Sequence, residues 1–204
     1  MTAYVIALQP EKKLKEKIKR LKKEAEKIVG KQQYLADEPH LTLYILKTKK
    51  EIVDAFMNEI SRKIKKISLT VTNWIIFKND QITGKQTLAC TFAEQKKLRA
   101  LQKKVITGLN NYRTAPVISR YEKVKKTLGK KEQENLKHYG YPFVGEHWIA
   151  HVSIASFEKK AFDKIWKKMK EQCPKGAYES NNLKVYELDE NTESLKTVKE
   201  YPLA

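Results

Sequence analysis

The chain reads as one plan written twice, and that repetition limits its folds more than any single residue does. An apolar strand-type run, Tyr4 to Leu8, leads to a helix pattern, a strand from His40 to Leu46, a second helix pattern and a strand from Ile67 to Phe77. A second series then starts with a strand from Thr87 to Phe92 and a helix pattern carrying Leu98, Leu101, Val105 and Leu109. After an irregular stretch come a strand from His147 to Ser156, a helix from Glu158 to Lys170 and closing strands Leu183 to Leu188 and Leu195 to Leu203. Tyr4 precedes His40 by 36 positions and Thr87 precedes His151 by 64, an excess of 28 that matches the irregular residues 112–140. The second copy is therefore read as carrying an insert. Strand pairs, long connections and helices in this order predict an α+β protein: bilobal, built from duplicated β-α-β units with mainly antiparallel sheets around a central cleft. Residues 1–204 are expected to form one such bilobal domain.

The helices announce themselves by period. From about Pro10, suited to a first helical position, Leu14, Ile18, Leu21, Ala25 and Ile28 recur at intervals of 4, 3, 4 and 3, one narrow stripe that stops at Gly30. Thr48-Lys-Lys-Glu51 has the form of a capping box opening the second helix. Within the insert a short helix is expected near Lys130 to Lys137, ending at Gly140, with His138 near its end; Pro116 and Gly129 mark loops around it.

Composition narrows the class further. The chain has 204 residues, 42 Lys and Arg against 24 Asp and Glu, and a formal charge of +18. Ten Tyr, six Phe and three Trp supply a core, so wholesale disorder is excluded. No apolar run reaches 18 residues, and MTAYVIALQPEKK reads as a first strand and not a signal peptide. Cys90 and Cys173, with no CxxC, fit reduced thiols in a cytoplasmic protein. The positive charge has two readings, solvated Lys-rich helix faces or attraction of a polyanion such as RNA or a nucleotide, and charge alone does not choose between them.

The strands carry the chemistry. His40-Leu-Thr42-Leu and His151-Val-Ser153-Ile share the pattern His-x-(Thr/Ser)-hydrophobic at matching positions of the two copies. By strand alternation His40, Thr42 and Tyr44 project from one face, as do His151 and Ser153, while Leu41, Leu43, Val152 and Ile154 face the core. Each strand offers an imidazole beside a hydroxyl, and packing about a pseudo-twofold axis would set the two pairs across a cleft.

With PHLTLYIL, AHVSIASF, the opening AYVIALQPEKK and the terminal Tyr-Pro-Leu, the chain resembles the 2H phosphoesterase superfamily over nearly its whole length. That superfamily includes bacterial RNA 2′,3′-cyclic phosphodiesterases, also called 2′-5′ RNA ligases. The region YRTAPVISRYEKVKK…LKHYGYPFVGEHWIAHVSI is similar to a 2H branch often encoded beside phosphonate-metabolism genes, with an Arg-rich insert and a Gly-Tyr-Pro-(Tyr/Phe)-Val element. The insert departs from the more familiar RNA-processing members. The resemblance implies a LigT-like fold and a metal-independent, cofactor-free phosphoesterase. It would open a cyclic phosphodiester or act on a 2′-5′ linkage in RNA or a nucleotide, as a monomer. It further implies that His40 protonates the leaving oxygen and His151 activates water. Two imidazoles with ordinary pKa values near 6.5 can hold opposite protonation states near neutral pH. The hydroxyls of Thr42 and Ser153 can donate to the non-bridging oxygens of the transition state.

Further candidates surround this pair. In the insert Arg113 and Arg120, with Lys123 and Lys126, alternate with Tyr112 and Tyr121, a pattern suited to phosphate contacts and base stacking or to a charged surface flap. Tyr44 and Tyr141 are substrate-binding candidates. His147 and His151 are spaced HxxxH without the Glu of HExxH, so no metal site is read; on a regular strand His147 would share the face of His151. Two other readings stay open: a cyclic phosphodiesterase of small ribosyl metabolites with the insert as a lid, and a basic RNA-binding protein without catalysis.

Overall fold

A computed structural model of the chain describes residues 2–114 and 117–204; Pro116 falls outside them. The elements follow the predicted order: β1 (Thr2–Pro10), α1 (Lys12–Val29), β2 (Leu41–Thr48), α2 (Lys50–Ser61), β3 (Ile67–Phe77), β4 (Gln86–Phe92), α3 (Gln95–Leu109), α4 (Ser119–Val124), α5 (Lys130–Tyr139), β5 (His151–Phe157), α6 (Lys159–Met169), β6 (Gly176–Leu188) and β7 (Leu195–Pro202). The α+β class and the antiparallel expectation hold. All described strand pairs are antiparallel, and the seven strands form one sheet of order β2-β1-β6-β3-β4-β5, with β7 also pairing β6. Among the described residues no helix is long and apolar enough to cross a membrane.

The two lobes are not the two halves of the sequence. In the first half β1 pairs β2, and in the second β4 pairs β5, as the repeat implies. The third strand of each half, however, crosses over: β6 pairs β1, and β3 pairs β4. The crossing strands meet in the middle, Ile67–Val71 of β3 against Gly176–Ser180 of β6. This junction explains why β6 starts seven residues before the expected Leu183. Its first stretch, GAYESNN, is polar and reads as a loop, yet it is held by strand partners on β3 and β1. Register also refines the repeat: Val5 opposes Ile45 as Thr87 opposes Ser156, so Thr87 matches Val5, one residue from the Tyr4 expected.

Helix α1 buries Leu14, Ile18, Leu21 and Ala25, turns its Lys-rich faces outward and stops at Gly30, whose φ of 74° lies in the left-handed region that glycine adopts without penalty. Ile28, the last residue of the expected stripe, is exposed. The helix begins two residues later than Pro10 because β1 keeps pairing to Pro10, opposite Ser180. The expected capping box is not formed. Thr48 is the last residue of β2, opposite Thr2, and its hydroxyl donates to the Tyr112 carbonyl at 2.8 Å; the cap of α2 is Lys49, with no side-chain hydrogen bond.

The insert is not a charged flap. It buries Ile118, Tyr121, Leu128 and Leu136, and it contains a helix, α4, that periodicity missed because six residues with one buried side chain carry no period. It is tied to the first lobe through Thr48, through Thr114, whose hydroxyl and N–H both donate to the Lys47 carbonyl, and through Ser119, which donates to Glu190. It therefore reaches from the second half over the first.

Because β6 serves both lobes, damage to it should be felt in both. Leu183 is fully buried on the part of β6 between β1 and β7, while Trp74, Trp148 and Trp166 belong to β3, the approach to β5, and α6. Leu183→Ala should cost about 2–5 kcal/mol. In urea, its tryptophan fluorescence and far-UV circular dichroism midpoints should fall together. An unmoved tryptophan midpoint would mean that the lobes unfold independently.

Candidate active site

Both motif strands break their alternation at the same place. Ala7 opposes Thr42 but Ile6 opposes Tyr44, leaving Leu43 as an extra residue; Ala89 opposes Ser153 but Leu88 opposes Ala155, leaving Ile154 extra. These bulges re-aim the side chains that follow. Thr42 and Ile45 both face the cleft, whereas Tyr44 does not line it. Tyr44 is instead fully buried, and its hydroxyl donates to the Tyr139 carbonyl at 2.6 Å and to Asn110 Oδ1 at 3.2 Å. The shared face expected of His40, Thr42 and Tyr44 therefore ends at Thr42.

His40 and His151 stand at the mouths of the two motif strands, each half-buried and each lining one cleft of ≈ 470 Å³ with Thr42 and Ser153. Their surroundings repeat. Nδ1 of His40 lies 2.7 Å from the Glu38 carbonyl, and Nδ1 of His151 lies 2.7 Å from the Ile149 carbonyl, two residues back in both cases. A carbonyl only accepts, so Nδ1 carries the proton, and Nε2, which has no protein hydrogen-bond partner among the described residues, is left for the cleft. An aromatic ring packs on each imidazole: Tyr186 on His40, centroids 5.3 Å apart, and Phe77 on His151, 4.8 Å apart. Both rings come from the crossed strands. Tyr186 opposes Val5 on β6 and Phe77 opposes Thr87 on β3, so the third strand of each half supplies the wall for the other half's histidine.

What lies behind the rings differs. Glu38 accepts from Lys184 at 2.6 Å, Lys15 at 3.2 Å, Gln9 at 3.0 Å and Tyr186 at 3.3 Å, a network that fixes the backbone whose carbonyl holds His40. Burial alone would raise the Glu38 pKa, but Lys184 and Lys15 hold it below the usual value. Lys22, buried, donates to the carbonyls of Tyr34 at 2.5 Å and Asp37 at 2.8 Å, closing the loop before β2; burial lowers its pKa to about 8. On the other side Asp80 accepts from Thr87 at 2.6 Å and from the Ile82 N–H at 2.8 Å, and Gln95 brackets Ala150, donating to its carbonyl at 3.0 Å and accepting its N–H at 2.9 Å. Gln95 thus fixes the residue before His151 as a strand neighbour would.

The remaining sequence candidates divide. Arg120 and Tyr141 line the cleft. His147 lines it too, but from a 3-10 turn, Gly145–His147, and not from a strand: β5 begins at His151, and His147 Nδ1 pairs with Glu132 of α5 at 2.9 Å. Arg113 packs against Gly140 and does not line the cleft. Among the described residues no group of three or more His, Cys, Asp and Glu could hold a metal ion. Phe77, Tyr186, Lys22, Glu38, Asp80 and Gln95 were not legible as site residues, since each reaches the cleft or its histidines through strand crossing or loop closure.

A family model described as "Protein of unknown function (DUF1045)" matches residues 47–188, a span that includes His151 and begins just after His40. No curated protein matches the chain. Among solved structures it is similar to TT0787 of Thermus thermophilus, at 13% identity and TM-score 0.59 over 98% of this chain and 97% of that one. E. coli LigT in complex with 3′-AMP matches at 12% identity and TM-score 0.56 over 100% and 98%. A structure described as a phosphoesterase matches at 11% identity and TM-score 0.55 over 100% and 99%. At these identities the likeness is one of fold, and it is the LigT-like fold that the two motifs implied.

Both imidazoles are pushed below their ordinary pKa of 6.5, first by burial. The carbonyls of Glu38 and Ile149 oppose this, and so do Asp37 at His40 and Asp80 at His151; Lys22 and His151 add to the lowering at His40. The unfolded chain then binds more protons than the folded one below about pH 6.5, so stability is full above that value and falls as pH drops through the lowered folded pKa values. The melting temperature should fall between pH 7 and pH 5, and the His40→Gln/His151→Gln double variant should show a shallower fall. Equal slopes would contradict the burial assigned to the rings.

Proposed function

The chain belongs to the family described as DUF1045, and we propose that it is a phosphodiesterase that opens a 2′,3′-cyclic phosphate on a nucleotide, with His40 and His151 as acid and base. The observation that carries the reading is the repeated environment of the two rings: two free Nε2 atoms, each with Nδ1 anchored, face one cleft that also holds two hydroxyls. Ring opening needs one group to take a proton from water and another to give one to the leaving alkoxide, and two imidazoles, one of which takes up a proton as the pH falls toward their lowered pKa values, meet that need without a metal.

In the proposed step, Nε2 of one neutral histidine accepts a proton from water as the water oxygen bonds to phosphorus. The bond from phosphorus to a ribose oxygen breaks, and that oxygen takes the proton from Nε2–H of the other, protonated histidine. The resemblance of the motifs assigns the acid to His40 and the base to His151. Thr42 and Ser153 donate to the non-bridging oxygens as negative charge builds on them. The anchored Nδ1 atoms keep the rings from turning, so the proton leaves and returns at the same nitrogen. The product is a phosphate monoester, the group carried by the 3′-AMP found with E. coli LigT.

His40→Ala and His151→Ala should each lower turnover of adenosine 2′,3′-cyclic phosphate by about 10²–10⁴-fold, with the double variant little worse than either, because the pair works as a unit. EDTA should leave the rate unchanged. Full activity in either single variant would remove that histidine from the reaction. Binding of RNA without turnover of any cyclic phosphate would return the protein to the non-catalytic reading.

A further inference from the structure

We infer that Arg120, with Tyr34 and Tyr121, forms a second anion subsite in the cleft, built for a terminal phosphate monoester on the same nucleotide whose cyclic phosphate meets His40 and His151. Where the first phosphate sits rests on the reading above; the second subsite stands on its own geometry.

Arg120 is the second residue of α4 and lines the cleft. Its Nε is buried and, among the described residues, has no hydrogen-bond partner. Among the described residues its one side-chain bond is a long one, Nη2 to the Tyr121 hydroxyl at 3.4 Å, and its guanidinium lies 5.1 Å from the centre of that ring. Among the described residues no carboxylate pairs with it. Glu193 lines the same cleft and attracts Arg120 without pairing with it; it accepts from Gln33 at 2.7 Å, and Asp80, also in the cleft, accepts from Thr87 at 2.6 Å. A guanidinium whose Nε is cut off from water with no acceptor in reach carries an unmet donor, and a ligand oxygen in the cleft would meet it.

Tyr34 makes the second, independent observation. Its φ of 70° is rare for a residue with a large side chain, and it is held there by Lys22, whose Nζ bonds the Tyr34 carbonyl. Loop closure thereby brings Tyr34 into the same cleft as Arg120, and its hydroxyl has no protein partner among the described residues. A guanidinium fork with tyrosine hydroxyls on different residues offers donors from more than one side. A phosphate monoester, with three terminal oxygens, can meet them all; a carboxylate has two. Thr42 and Ser153 line the same cleft from β2 and β5, so the two sets of groups open onto one space.

Binding separates this inference from the catalytic one. By isothermal calorimetry the protein should bind adenosine 3′,5′-bisphosphate about tenfold or more tightly than 3′-AMP, the scale of one charged hydrogen-bonded contact. Arg120→Met should bring the ratio close to one, Arg120→Lys should leave part of it, and Tyr34→Phe, which removes only a hydroxyl, should lower it; the last two keep the test open if Arg120→Met does not fold. Equal affinities in the wild-type protein, no binding of either nucleotide, or a ratio unchanged in the variants would overturn the subsite. Because neither probe is turned over, a protein with no phosphodiesterase activity but an Arg120-dependent ratio would retain the subsite and lose the proposed reaction.

Discussion

Five residues of β3 against five of β6 hold this architecture together. The pairing of Ile67–Val71 with Gly176–Ser180 is the place where the crossed strands meet, and the rest of the site depends on the crossing. Without it each half would be a hairpin-like pair, β1 with β2 or β4 with β5, lacking a third strand. With it each pair gains a neighbour from the other half, and that neighbour brings an aromatic ring to the histidine. A lobe without its exchanged strand would have an imidazole with one open face and an unpaired edge. The placement of the two histidines and sheet continuity are therefore the same feature of the chain.

The duplication is closer in backbone than in chemistry. Both strands carry the same bulge, both histidines donate from Nδ1 to the carbonyl two residues earlier, and both rings pack on a crossed-strand aromatic. Charge then breaks the symmetry. The loop before β2 is held by Lys22 and by Glu38 with its two lysines, while the loop before β5 is held by Gln95 on Ala150, Arg99 on the Trp148 carbonyl and Glu132 on His147. Two sites of equal shape with unequal fields suit a reaction that needs one proton donor and one acceptor.

Much of this was legible in the residues. The paired His-x-(Thr/Ser) motifs, the antiparallel α+β class and the insert follow from periodicity and spacing, which are local signals. What failed was non-local. Tyr44 shares a strand face with Thr42 only if the strand is regular, and the bulge at Leu43 depends on pairing with β1. Thr48 looked like a helix cap because Glu51 follows at the right distance, but the strand and the Tyr112 carbonyl claim its hydroxyl. His147 sits in a 3-10 turn because Gln102 and Glu132 hold the Gly145–His147 segment, contacts made across 43 and 15 residues. Phe77 and Tyr186 had no sequence mark at all, since a strand aromatic is ordinary and only the crossing gives it a partner.

The central claim is that both imidazoles present a free Nε2 to the cleft while Nδ1 is anchored to backbone. It can be read directly. The chain has four histidines, few enough for each ring to be assigned by ¹⁵N NMR using single substitutions. Above pH 7 the rings of His40 and His151 should both be the Nδ1–H tautomer, and on acidification both should titrate with midpoints below 6.5. An Nε2–H tautomer at either ring, or a midpoint above 6.5 at both, would contradict the account.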